Sequence, residues 1–225
     1  MKTKTKNPDL EILKKKIDAE DDIDEISGFI RDIANVSVND AKDLIKSLDA
    51  RKLKTKIDAE KSLGKIGLCV EMIGIDEESA KDIIKNLDLE KLKDKIDADE
   101  DIEMIGWCVG RISITSGEVA KDLIRSMDLE KLKDKIDAER STEEICWCFA
   151  NISVGDANAA ERLVPVVKKK IEAEGDNILL WNSTRYLNQG DKKVVSKLVS
   201  QLNPENAKTP EVKNEIIELK KSIPE

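Results

Sequence analysis

The stretch EICWCFANIS (Glu144–Ser153) places two of the chain's four cysteines on either side of one of its three tryptophans. Closely spaced thiolates bind soft metals or exchange as disulfides, so chemistry is sought here first. Helix geometry works against both outcomes. Two positions along a helix turn a side chain by about 200°, which sends Cys146 and Cys148 to different faces where they cannot share one ion. The chain has no histidine. That removes His-dependent triads, histidine general bases and histidine metal ligands, and a zinc site would need four thiolates or help from carboxylates. No metal, cofactor or catalytic residue is assigned, and the expectation is a protein that is not an enzyme.

Comparing the chain with itself explains where these residues stand. The phrase KIDAE occurs at Lys16–Glu20, Lys56–Glu60 and Lys135–Glu139, with KIDAD at Lys95–Asp99 and KIEAE at Lys170–Glu174. Its isoleucines (Ile17, Ile57, Ile96, Ile136, Ile171) are spaced by 40, 39, 40 and 35 residues. A second apolar column follows at Ile26, Ile66, Ile105, Ile145 and Leu180, and a third block aligns Leu44, Ile83, Leu123, Leu163 and Leu198.

Each copy reads as three helical segments. In the third they are Asp88–Glu100, Asp101–Ile114 and Ser116–Asp128, with apolar residues at helical spacing and none of the alternation of a strand. Ser141 and Asp22 stand three residues before a glutamate, the spacing of a capping box. The junction between the fourth and fifth copies is five residues shorter than the others, so the last segment of one is expected to run into the first of the next, with Pro165 kinking the join or sitting near a helix start. After Leu202 the pattern ends, and one amphipathic helix over Thr209–Ile223 is expected to cap the stack. The front begins at Asp9 in mid-pattern, as either a fragment of a longer protein or a half-capped first unit.

A repeat of about forty residues built from two or three helices resembles the HEAT and armadillo families. The segment KLKDKIDAE…IGWCVGRIS…AKDLIRSMDLE further resembles helical-repeat arrays of uncharacterised microbial proteins, some attached to signalling NTPase modules; no GxxxxGK[ST] loop occurs here. The resemblance implies an all-α, right-handed α-solenoid forming one domain over 1–225. Its repeats would span 9–48, 49–87, 88–127, 128–164 and 165–202, with a cap at 203–225.

The aligned columns sort the opening motif. Phe29, Cys69, Cys108, Cys148 and Ser183 share one column beside the apolar stripe, where free cysteine fills a small packing role. Equivalent helices of stacked repeats lie about 8–10 Å apart, beyond the roughly 7 Å Cα reach of a disulfide, so the thiols are expected to stay free. Ser27, Gly67, Gly106 and Cys146 form a column of small residues suited to close helix approach. Trp107 and Trp147 share a third column with Leu68, opposite the main stripe, and one turn on lie Met72, Arg111, Asn151 and Tyr186. Leu68, Met72, Trp107, Arg111, Trp147, Asn151 and Tyr186 would form a band across successive helices, in the residue types enriched at interface centres. The alternating charges of Lys133, Asp134, Lys135 and Asp137 read as a solvated face.

Composition bounds the rest. At 225 residues with 40% hydrophobic and 38% charged content, five prolines and ten glycines, the chain has the make-up of a helical globular protein. A net charge of −8 opposes nucleic acid, whose phosphates call for a positive surface. No apolar run is long enough for a bilayer and MKTKTKNPDLEI lacks a signal's apolar core, so no membrane is expected. Free cysteines point to a reducing compartment, and a cytoplasmic location is expected. The function expected is a scaffold that binds a protein or peptide on a concave surface. The alternatives are a HEAT-like nucleic-acid-binding protein or DNA-glycosylase-like enzyme, and a purely architectural segment of a larger signalling NTPase.

Overall fold

Short capped helices account for nearly all of the computed structural model, which describes residues 8–223. In chain order they are α1 (Pro8–Ala19), α2 (Ile23–Val36), α3 (Val38–Ser47), α4 (Ala50–Ala59), α5 (Leu63–Ile73), α6 (Glu77–Lys85), α7 (Leu89–Ala98) and α8 (Ile102–Thr115). There follow α9 (Gly117–Ser126), α10 (Leu129–Ala138), α11 (Thr142–Gly155), α12 (Ala157–Glu172), α13 (Asn177–Leu187), α14 (Lys192–Gln201), a 3-10 turn (Pro204–Asn206) and α15 (Pro210–Ser222). No strand occurs among the described residues.

An aspartate or serine starts most of these helices because its side-chain oxygen accepts an otherwise unpaired amide of the first turn. Asp88 takes the Lys91 amide at 3.2 Å, Asp101 the Met104 amide at 3.0 Å and Ser141 the Glu144 amide at 3.2 Å. Asp22 caps one residue earlier than its spacing suggests, on the Asp24 amide at 2.9 Å. The fused segment is a single helix, α12, and Pro165 lies inside it on an exposed side rather than at a helix start.

The second helix of each unit is the most apolar and is covered on several sides. α2, α5, α8, α11 and α13 pack one against the next, while α3, α6, α9 and α12 each contact the first and second helices of their own unit. In α8 the residues Ile102, Ile105, Cys108, Val109 and Ile112 are all buried. The small-residue column lets these helices close up. A Cβ on Gly67 would lie 3.3 Å from the Cys108 Cα, and one on Gly106 only 2.6 Å from the Cys148 Cα. The corresponding residue of α13 is Trp181, which is 52% exposed. α15 contacts α13 and α14, with Val212, Ile216 and Leu219 buried.

The charged face of the first helices departs from expectation. Lys135 is buried at 9% exposure, and its ammonium donates to the carbonyls of Ile96 and Asp97, both at 3.0 Å, and to that of Asp99. Lys56 does the same to Ile17, Asp18 and Glu20, Lys95 to Ile57 and Asp58, and Lys170 to Asp137 and Glu139. From the second copy onward, the lysine of the phrase therefore caps the C-terminus of the preceding first helix, whose last carbonyls lack partners within the helix and carry the negative end of the helix dipole. Burial holds the Lys95 ammonium below its ordinary pKa, against the opposing pull of Asp58 and Glu60. The aspartates of the phrase work in the same joints: Asp58 accepts the Asp88 amide at 3.0 Å and Asp97 the Asp128 amide at 3.2 Å.

Candidate functional site

Along α8, Glu103, Trp107, Arg111 and Ile114 follow at spacings of four, four and three, which keeps them on one helix face. Glu143, Trp147, Asn151 and Val154 repeat the arrangement on α11. This face is turned away from the Ile105 and Ile145 stripes, and the two aliphatic residues at its far end are bare, Ile114 at 74% and Val154 at 51% exposure.

A cleft of about 390 Å³ opens between α8, α11 and α13, lined by Glu103, Trp107, Arg111, Glu143, Glu144, Trp147 and Tyr186, with Ser141 at its edge. The Trp147 and Tyr186 rings meet edge to face, with centroids 4.9 Å apart and planes at 66°, the geometry favoured by ring quadrupoles. Arg111 holds its guanidinium 5.9 Å from the Trp107 ring and pairs with Glu71 of α5 at 3.3 Å. The indole N–H of Trp107 is buried without a hydrogen-bond partner, and the neighbouring Cδ1 edge lies over Gly67.

The cleft is acidic. Burial raises the Glu144 carboxyl above its ordinary range, and the charges of Glu139, Glu103 and Asp101 push it the same way. Burial also raises Tyr186, with the nearby carboxylate of Glu143 adding to the effect. A side-chain hydrogen bond to Ser141 offsets part of the rise in Glu144, while the Ser141 amide donates to Glu139 at 2.8 Å.

Of the residues expected in the band, Trp107, Arg111, Trp147 and Tyr186 come together here. Leu68 and Met72 stand on α5, one helix before the cleft. Both are half-buried, and Met72 packs against the core. Asn151 turns back, donating to the Trp147 carbonyl at 3.0 Å and filling the space that a Cβ on Gly110 would need. Sequence reasoning missed Glu103, Glu143, Glu144, Ile114 and Val154. Glu103, Glu143, Ile114 and Val154 lie on the tryptophan face a turn or two away, so following the same column further would have reached them.

The four cysteines are buried, and burial pushes each thiol up to about 12, which leaves them protonated and inert. Among the described residues no group of three or more Cys, Asp or Glu is placed to hold a metal ion, and no helix is long and apolar enough to cross a membrane.

No protein-family model matches the chain, and no curated protein shows significant similarity to it. A solved structure from work on the computational design of self-assembling cyclic protein homooligomers is similar over 95% of this chain and 88% of its own, at 12% identity and a TM-score of 0.23. That score is too low for the match to bear on fold or function.

Proposed function

We propose that the chain is a right-handed α-solenoid of the HEAT/armadillo kind, one domain of five repeats with a C-terminal cap, acting as a non-enzymatic scaffold. Its second helices line a concave surface that binds a protein or peptide. One observation carries the reading: aromatic side chains from three successive second helices, Trp107, Trp147 and Tyr186, converge on one open cleft beside the exposed Ile114 and Val154. Clusters of aromatic, arginine and aliphatic side chains at one place on a surface are the make-up of interface hot spots. Two further features support it. The thiols are held protonated in the core, away from the cleft. A phosphodiester entering the cleft would meet Glu103, Glu143 and Glu144, which disfavours the nucleic-acid alternative.

The test is capture of partners by the wild type and by the Trp107→Ala and Trp147→Ala variants, with circular dichroism and thermal melting as folding controls. A partner retained by wild type and lost by folded variants is the expected result, with affinity falling by about 2 kcal/mol or more per hot-spot residue. Partners held equally well by all three proteins would place the binding surface elsewhere.

A further inference from the structure

We propose that the cleft seats an organic cation, the lysine or arginine side chain of a basic partner segment; this rests on the reading of the second-helix face as a peptide-binding surface. The first ground is charge. Three carboxylates line the cleft (Glu103, Glu143, Glu144) against one cation, Arg111, whose guanidinium is already engaged by Glu71. Asp101 and Glu139 add negative charge close enough to act on Glu144. A neutral apolar segment laid here would strip water from carboxylates that no cation neutralises, and an acidic one would add repulsion; a cation relieves both costs.

Cations lie over other aromatic rings of this molecule: Lys16 over Phe29 at 4.0 Å and Arg185 over Trp181 at 5.5 Å outside the cleft, and Arg111 over Trp107 at 5.9 Å within it. Trp147 and Tyr186 make an edge-to-face corner inside the cleft, and among the described residues no cation lies over either ring. Two ring walls with carboxylates beside them bind an ammonium or guanidinium through the ring quadrupoles and through direct ion pairing. The volume of about 390 Å³ is ample for one long basic side chain. Beyond it Ile114 and Val154 offer aliphatic contacts to neighbouring residues of the same segment.

The experiment is a fluorescence titration in a Trp181→Phe background, so that emission reports Trp107 and Trp147 alone. The probes are an acetylated oligolysine peptide and an oligoglutamate peptide of equal length at physiological salt. Saturable binding of oligolysine is expected, with none of oligoglutamate. The Glu143→Gln/Glu144→Gln pair and Trp147→Ala should each weaken it roughly tenfold or more. The Gln pair keeps side-chain volume, so the outcome stands even where Trp147→Ala fails to fold. Absence of oligolysine binding, or binding unmoved by the Gln pair, overturns the cation assignment. So does a partner captured through Trp107 and Trp147 whose docking segment is neutral or acidic, and in that case the peptide-binding face survives. A natural partner indifferent to both tryptophans, with oligolysine still bound at the cleft, would instead defeat the functional reading alone.

Discussion

The α8–α11 junction and the bare side of α13 occupy corresponding places, yet one is closed and the other open. At the first, Gly106 lets the backbone of α11 approach until a Cβ would lie 2.6 Å from the Cys148 Cα. At the second, the aligned residue is Trp181, and with Ile178 at 66% exposure it stands in solvent. One column of the alignment thus decides how closely a neighbouring helix can approach at this face. Small residues admit a neighbour, and a large ring at the same place cannot be buried without pushing a neighbour away. The difference between the closed junction and the open side of α13 lies at this single aligned position.

That contrast can be broken most severely at Gly106. Replacing it with alanine forces α8 and α11 apart, since the obstacle is backbone and cannot swing aside; a loss of about 3 kcal/mol in denaturant unfolding is expected. Trp181→Ala, at the matching end position, should change stability by no more than about 0.5 kcal/mol. An equal cost at both sites would show that the column does not govern helix approach.

A smaller effect separates the lysines. Lys135→Met leaves the Ile96, Asp97 and Asp99 carbonyls without their donor and should cost about 2 kcal/mol. Lys16 heads the ladder with a ring contact to Phe29 as its partner, so Lys16→Met should cost less than about 1 kcal/mol. Comparable losses would refute the inter-repeat role of the lysine.

The smallest difference expected is that of Glu144→Gln, read through pH. Burial and the surrounding carboxylates raise the folded pKa of Glu144, so in the window above its unfolded value the folded state binds more proton and stability falls as pH rises. Below that window the group is protonated in both states and the penalty is absent. The glutamine variant should match wild type under acid and exceed it at neutral pH, with a higher denaturation midpoint there and no gain below about pH 4. A variant less stable than wild type at neutral pH would show that the carboxylate is paired in the fold.

The helices themselves were legible because apolar spacing and capping residues act locally. Leu92 and Ile96 mark the inner side of α7, and five missing residues announced α12 as one helix. Trp107, Trp147 and Tyr186 were legible as a group because the repeat aligns their columns. Lys135 was not, since alternating charge normally means solvent; its burial depends on carbonyls 39 residues away that only folding brings near. The direction of the Asn151 side chain was not legible for a similar reason, because it lies in the space left at Gly110 on another helix. The acidity of the cleft follows from Glu103 and Glu143 standing one turn before the tryptophans, a signal present in the columns and not pursued.

The lysine ladder has a consequence for how the chain is made. The carbonyls ending α4 are satisfied by Lys95, those ending α7 by Lys135 and those ending α10 by Lys170, each a side chain translated later. A unit leaving the ribosome is therefore unfinished until the next one follows and closes it. The same lysine reach recurs in the C-terminal helix, where Lys220 donates to the Ser200 and Leu202 carbonyls at 3.0 and 2.8 Å. Synthesis runs in the direction that completes each joint, and α15 performs for α14 what each earlier lysine performs for its predecessor.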